Sequence, residues 1–152
     1  MSKILVAYFS ASGVTAEKAK GLAEAVGADV YEIKPEKPYS AADIKWTNPL
    51  SRCNREWLKK TKPALADTDA GIAEYDAIYL AFPIWYYTAP LIIKSFISAY
   101  DFSGKKIVVF ATSGGSGLGK AVSNIKAEVP DAEVVEGAML NGVSSFDDYI
   151  GF

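Results

Sequence analysis

Short apolar runs alternate with helical patterns along most of this chain. Lys3-Ile-Leu-Val-Ala-Tyr-Phe9 is nearly continuous in apolar residues, as a strand buried on both faces requires. Ser10 to Thr15 then interrupts the run with turn residues. From Thr15 onward Ala16, Ala19, Leu22, Ala23 and Val26 recur at helical spacing until Gly27, which suits a helix C-cap. A second strand is predicted over Asp29 to Ile33. Three more follow at Ala77 to Phe82, Lys106 to Ala111 and Ala132 to Val135, the last with a continuation toward Leu140. Two helices separate them. One has Pro90 in its first turn and carries Leu91, Ile92, Phe96, Ile97 and Tyr100; the other is marked by Leu118, Val122, Ile125 and Val129 and ended by Pro130. Such alternation implies right-handed crossovers and an α/β fold, a doubly wound parallel sheet with helices on both faces. Lys34 to Tyr75 departs from the pattern. It holds Pro35, Pro38, Pro49 and Pro63 around one predicted helix near Arg52–Lys60, and reads as an excursion and not as a second domain.

Composition narrows the chemistry. The chain has 152 residues, 50% hydrophobic and 22% charged, which suits one globular domain with a sizeable core. No apolar run approaches the roughly 18 residues of a membrane span, and Met1-Ser2-Lys3 leads into a strand pattern and not a signal peptide, so a cytoplasmic location is expected. Histidine is absent, which removes Ser-His and Cys-His nucleophiles, imidazole metal ligands and imidazole proton shuttling. Cys53 is the only cysteine, so no internal disulfide and no thiolate metal cluster can form. Redox chemistry, if present, must be borrowed from an organic cofactor.

The net charge of −2 conceals an asymmetry: residues 1–62 sum to +4 and residues 63–152 to −6. The acidic balance argues against nucleic acid as a partner. Lys45 to Lys62 is the local exception, with Lys45, Arg52, Arg55, Lys59, Lys60 and Lys62 against Glu56 alone. Such a run is either a solvated helix face or a dock for an acidic partner or phosphorylated substrate.

Ligands of open α/β sheets bind beyond the carboxyl ends of the strands, where strand order reverses. Three loops there are unusual. Ser10-Ala-Ser-Gly-Val-Thr15 places three hydroxyl residues and a glycine directly before a helix, an arrangement suited to a phosphate. Pro83-Ile-Trp-Tyr-Tyr-Thr-Ala-Pro90 sets three consecutive aromatic residues in a loop, a stacking surface for a planar ring. Thr112-Ser-Gly-Gly-Ser-Gly-Leu-Gly119 is small enough for close backbone approach. Gly114 to Lys120 fits part of a P-loop, but Ala121 stands where the magnesium-binding hydroxyl belongs.

Tyr8-Phe-Ser-Ala-Ser-Gly-Val-Thr15, Pro83-Ile-Trp-Tyr86 and Thr112-Ser-Gly-Gly115 together resemble the three FMN-binding loops of the flavodoxin family, and the likeness covers nearly the whole chain. The resemblance implies a single FMN-binding domain over residues 1–152, with five strands in the order 2-1-3-4-5. It implies FMN as cofactor, no metal and no catalytic side chain. Ser10, Ser12, Gly13, Val14 and Thr15 would hold the ribityl phosphate; Pro83, Ile84, Trp85 and Tyr86 would border the isoalloxazine, and backbone of Thr112, Ser113, Gly114 and Gly115 would line its polar edge. Val14 replaces an Asn common in the family's phosphate loop, and the second loop lacks the glycine that often lets a peptide turn toward flavin N5. The function implied is an electron-transfer protein cycling flavin between redox partner proteins. The alternative is an FMN-dependent NAD(P)H oxidoreductase acting on quinones or similar small acceptors, favoured by the basic excursion and the missing glycine. A short last helix from near Ser144, built on Phe146, Tyr149, Ile150 and Phe152, needs a packing partner, either the sheet or a second copy in a homodimer.

Overall fold

A strand covered by helices on both sides must be apolar at every position, and the central strands meet that condition. β1 (Ile4–Tyr8) is buried throughout, β3 (Ala77–Pro83) is buried up to Pro83, and β4 (Lys106–Thr112) is buried after Lys106. β2 (Asp29–Glu32) and β5 (Glu133–Met139) form the edges and are more exposed. All pairings are parallel, in the order β2-β1-β3-β4-β5. This is the flavodoxin-like order. The computed structural model describes residues 3–10, 13–37, 40, 47–48, 50–59, 63–68, 70–84, 89–112 and 120–140. The expected helix near Ser144 lies outside them. No helix among the described residues is long and apolar enough to cross a membrane.

Alternate strand positions feed two cores. Leu5, Ala7, Ile78, Leu80, Ile107 and Val109 pack with Ile92, Ile93, Phe96 and Ile97 of α3 (Leu91–Ala99) and with Ile125 of α4 (Ala121–Glu128). Val6, Tyr8, Tyr79, Ala81, Val108 and Phe110 pack on the opposite face with Ala19, Leu22 and Ala23 of α1 (Val14–Val26). α1 stops where Gly27 turns left-handed, its N–H reaching the Ala23 carbonyl. Pro90 stands at the N-cap of α3, one position earlier than expected, and its carbonyl accepts from Ile93 N–H at 2.9 Å. Proline is suited to that junction because it has no N–H to leave unpaired.

The excursion is more ordered than its prolines suggest. The expected helix is present as α2 (Arg52–Lys59). The chain also leaves β2 and returns beside itself: Pro35 and Leu65 form an antiparallel bridge, flanked by Glu36 N–H to Ala64 O and Ala66 N–H to Lys34 O, both 2.8 Å. Side chains from the sheet and α3 anchor the return. Tyr31 donates its hydroxyl to the Asp67 carboxylate, the Tyr100 hydroxyl accepts from Ala70 N–H at 3.2 Å, and Ser95 donates to the Pro63 carbonyl at 2.6 Å. Phe96 stacks on Tyr31 with ring centroids 6.2 Å apart and meets Tyr100 at a tilt, 5.2 Å away.

One glycine is required by close approach. The β4–β5 register shifts between Val109 and Phe110, whose partners are Glu136 and Ala138, so Gly137 is the unpaired bulge residue. A Cβ there would sit 2.7 Å from the Val109 carbonyl oxygen and 2.8 Å from the Phe110 ring. Gly137→Ala is therefore expected to destabilise the protein by about 1–3 kcal/mol, read as a lower urea midpoint, because a backbone atom must move to admit the methyl.

The amino ends of the strands are tied by Tyr75, whose hydroxyl donates to Asp29 Oδ2 at 2.8 Å while its carbonyl accepts from Lys105 Nζ at 2.7 Å. Burial, then the bond to Asp29, pushes the Tyr75 phenol up to about 12. Burial and the bond to Asp67 raise Tyr31 as well. The fold thus favours neutral phenols, so their contribution is complete below the ordinary phenol value near pH 10 and is lost as pH rises toward 12. Urea unfolding between pH 9 and 12 should show that loss in the wild type. Tyr75→Phe should start about 1 kcal/mol lower at pH 7 and decline less steeply.

Candidate functional site

The carboxyl ends of β1, β3 and β4 finish nearly level. Tyr8 is in register with Ala81 and Pro83 with Thr112. Two further backbone bonds tie the loop starts to the sheet: Phe9 N–H to Ala81 O at 3.0 Å and Ile84 N–H to Thr112 O at 2.9 Å. Ile84 and Thr112, at the ends of β3 and β4, therefore stand side by side.

The first loop ends in a left-handed turn. Gly13 has φ of 94°, open to glycine at little strain, and its N–H donates to Ser10 Oγ at 3.0 Å. Glu17 N–H donates to Gly13 O at 3.1 Å, which begins the helical ladder. The N–H groups of Val14, Thr15 and Ala16 precede that ladder, and among the described residues no side chain caps the helix. Among the described residues, nothing lies within 4 Å of the position a Cβ would take at Gly13.

Thr15 does not cap the helix. Its hydroxyl meets the Thr112 hydroxyl at 2.6 Å, and both residues are buried. This bond joins the first turn of α1 to the last residue of β4 across the ends of the central strands. Sequence reading placed both residues at the site but missed their contact, since nothing local signals a pair 97 positions apart.

Ser10 is half-buried, its hydroxyl oxygen accepting from Gly13; Pro83 and Ile84 are half-buried at the exit of β3, and Ile84 packs against the first core. Ser12, Trp85, Tyr86, Ser113, Gly114 and Gly115 lie outside the described residues. A cavity of about 410 Å³, which the sequence did not announce, opens beside Ser10 between Phe9 and the segment Glu32–Glu36. Burial and, secondarily, the Glu32 carboxylate raise the Tyr8 phenol, which stays neutral.

The chemistry of these donors fits a phosphate monoester. Free helix N–H groups, a positive helix end and neutral hydroxyls favour an anion, and residues 10–15 include no carboxylate to repel it. No cluster of three or more Cys, Asp or Glu suited to a metal occurs among the described residues.

A family model described as flavodoxin matches residues 3–151. Among solved structures, the chain is similar to a protein from Bacteroides eggerthii DSM 20697, provisionally named a flavoprotein, with 42% identity, coverage of 100% of this chain and 99% of that one, and a TM-score of 0.92. A protein from Bacteroides uniformis ATCC 8492 that carries the same provisional name shares 44% identity over 92% of this chain and 94% of that one, with a TM-score of 0.81. A flavoprotein from Lactobacillus acidophilus NCFM, solved in complex with FMN, has the same fold at 20% identity, covering 90% of this chain and 91% of that one with a TM-score of 0.71. No curated protein matches the chain.

The Thr15–Thr112 bond yields a double-mutant cycle. Thr15→Val and Thr112→Val should each cost about 1–3 kcal/mol by urea unfolding, since each strands a buried hydroxyl. The double variant should cost clearly less than their sum. Additivity within about 0.5 kcal/mol would mean the two loops are not coupled through these side chains.

Proposed function

Since the chain belongs to the flavodoxin family, we propose that it binds FMN across the three loops and serves as an electron carrier between redox partners. The observation that carries this reading is the start of α1, where Gly13 turns the chain and leaves uncapped N–H groups beside the joined ends of β3 and β4. Ser10, Ser12, Gly13, Val14 and Thr15 supply N–H and hydroxyl donors to the phosphate. Val14 contributes through its backbone, so the absence of an amide side chain there leaves the N–H in place.

Trp85 and Tyr86 stack on the flavin ring, Pro83 and Ile84 bring them to it, and the backbone from Thr112 to Gly115 faces its polar edge. The bound FMN stores and releases the electrons. The Thr15–Thr112 bond holds the first turn of α1 against the end of β4, the two points from which these loops would reach the cofactor. Ile84-Trp85-Tyr86 contains no glycine, and bringing one of these residues to positive φ costs about 1–3 kcal/mol. The ring loop accordingly resists backbone rotation.

Flavin fluorescence quenching tests the assignment. FMN should bind at least about tenfold more tightly than riboflavin, equivalent to about 1.4 kcal/mol from the phosphate alone. Equal affinities would remove the phosphate role from the first loop. Trp85→Ala should weaken FMN by about 1–3 kcal/mol and relieve quenching. Rapid oxidation of NADH or NADPH with a quinone as acceptor would replace the carrier by the reductase reading.

A further inference from the structure

α2 presents an unusual surface. Its exposed residues Arg55, Leu58 and Lys59 stand at i, i+3 and i+4, on one side of the helix. Leu58 is 75% exposed, and Leu50, just before the helix, is 77% exposed. Large apolar side chains held this far into water at two neighbouring points mark a contact surface more often than a solvated face.

Next to Leu58 in the chain, Trp57 turns inward and lines a groove of about 250 Å³ shared with Leu91 and Ile97 of α3 and Ile125 of α4. The ion pair of Lys94 and Glu128, 3.7 Å apart, joins α3 to α4 beside it. One end of the groove is formed by Ala89 and Leu91, which directly follow the aromatic loop.

The charge on the exposed side of α2 has one sign, carried by Arg55 and Lys59. Along the sequence, six basic residues between Lys45 and Lys62 stand against Glu56 alone, and Glu56 is bound to Arg52 Nε at 3.0 Å. Arg55 and Lys59 have no ion pair with another described residue. Arg55 and Lys59 beside the exposed Leu58 complement a partner with acidic side chains around an apolar centre.

We propose that the exposed side of α2, with Leu50 and the Trp57 groove, is the docking surface for an acidic electron-transfer protein. A protein suits it better than a nucleic acid, which offers no side chains for the leucines and the groove. The redox character of the partner rests on the FMN reading above, whereas its acidity and apolar centre rest on α2 alone.

The test is a binding titration of the full chain with an acidic [2Fe–2S] ferredoxin as probe, by calorimetry, with basic cytochrome c as the control of opposite sign. Ferredoxin should bind at 20 mM salt and lose at least about tenfold in affinity at 300 mM, and cytochrome c should bind more weakly than ferredoxin. The double variant Arg55→Glu, Lys59→Glu should weaken ferredoxin at least about tenfold at low salt. Leu58→Ser should weaken it severalfold with the salt dependence retained. FMN affinity should be unchanged in both variants. Ferredoxin binding that survives the charge reversal, or no binding at low salt, overturns the proposal. So does binding to phosphatidylserine vesicles that requires the same residues, or self-association that they control, since the occupant would then be a membrane or a second copy. If ferredoxin binds as expected but FMN does not, the docking surface stands and the cofactor reading falls.

Discussion

The arrangement at the loop edge depends on β1 being hydrogen-bonded on both sides. The chain leaves β1 through α1 and comes back as β2 on one flank, then returns much later as β3 on the other. Right-handed crossovers carry the two connections over opposite faces, so the loops after β1 and β3 diverge and a crevice opens between them. The same constraint explains the sequence of the strand. With helices above and below and neighbours on either side, Ile4 to Tyr8 is almost wholly withdrawn from water, and even Tyr8 is only 3% exposed. Position in the sheet thus decides both the apolar run and the place where a ligand can enter.

Elements built from local information were legible in the sequence. The strands, α1 with its Gly27 cap, α3 after Pro90 and α2 in the excursion each carry a periodicity or a terminator that acts over a few residues. Strand order was legible only through the family resemblance, because register between parallel strands is set by distant packing. The antiparallel ribbon of Pro35 and Leu65 was hidden for the same reason: its two halves lie 30 positions apart, and prolines on both sides read as irregular chain. At the strand ends, the turn at Gly13 before α1 and the exit of β3 at Ile84 were legible from pattern. The Thr15–Thr112 bond was not, since a threonine before a helix reads as a cap until its partner is known. Gly137 likewise carried no signal, because a glycine in a strand looks the same whether it marks a weak point or makes room for a neighbouring carbonyl.

The excursion shows how a polar, proline-rich stretch is held without a core of its own. Three side chains already fixed by the main fold, Tyr31, Ser95 and Tyr100, each supply one hydrogen bond to the returning segment. Two of them also belong to the aromatic group around Phe96, so the bonds are made by groups whose rotamers are set by packing. The entropy of ordering the anchor side chains is thereby met by the core, and the excursion bears only the cost of its own backbone. The ribbon it forms also supplies one wall of the cavity beside Ser10.

The three loops share a property that their geometry makes consequential. Residues 10–15, 84–90 and 113–119 contain hydroxyls, glycines, aliphatic groups and aromatic rings, and none of these titrates between pH 5 and 8. The Thr15–Thr112 bond that links the first and third loops is neutral in the same sense. The loops therefore present one protonation state to a ligand throughout the neutral range, and they have no means to sense acidity. A phosphate monoester, whose second ionisation falls near pH 6, changes charge in that window while they do not. Any dependence of affinity on pH that arises within these loops would then be written by the guest and not by the host.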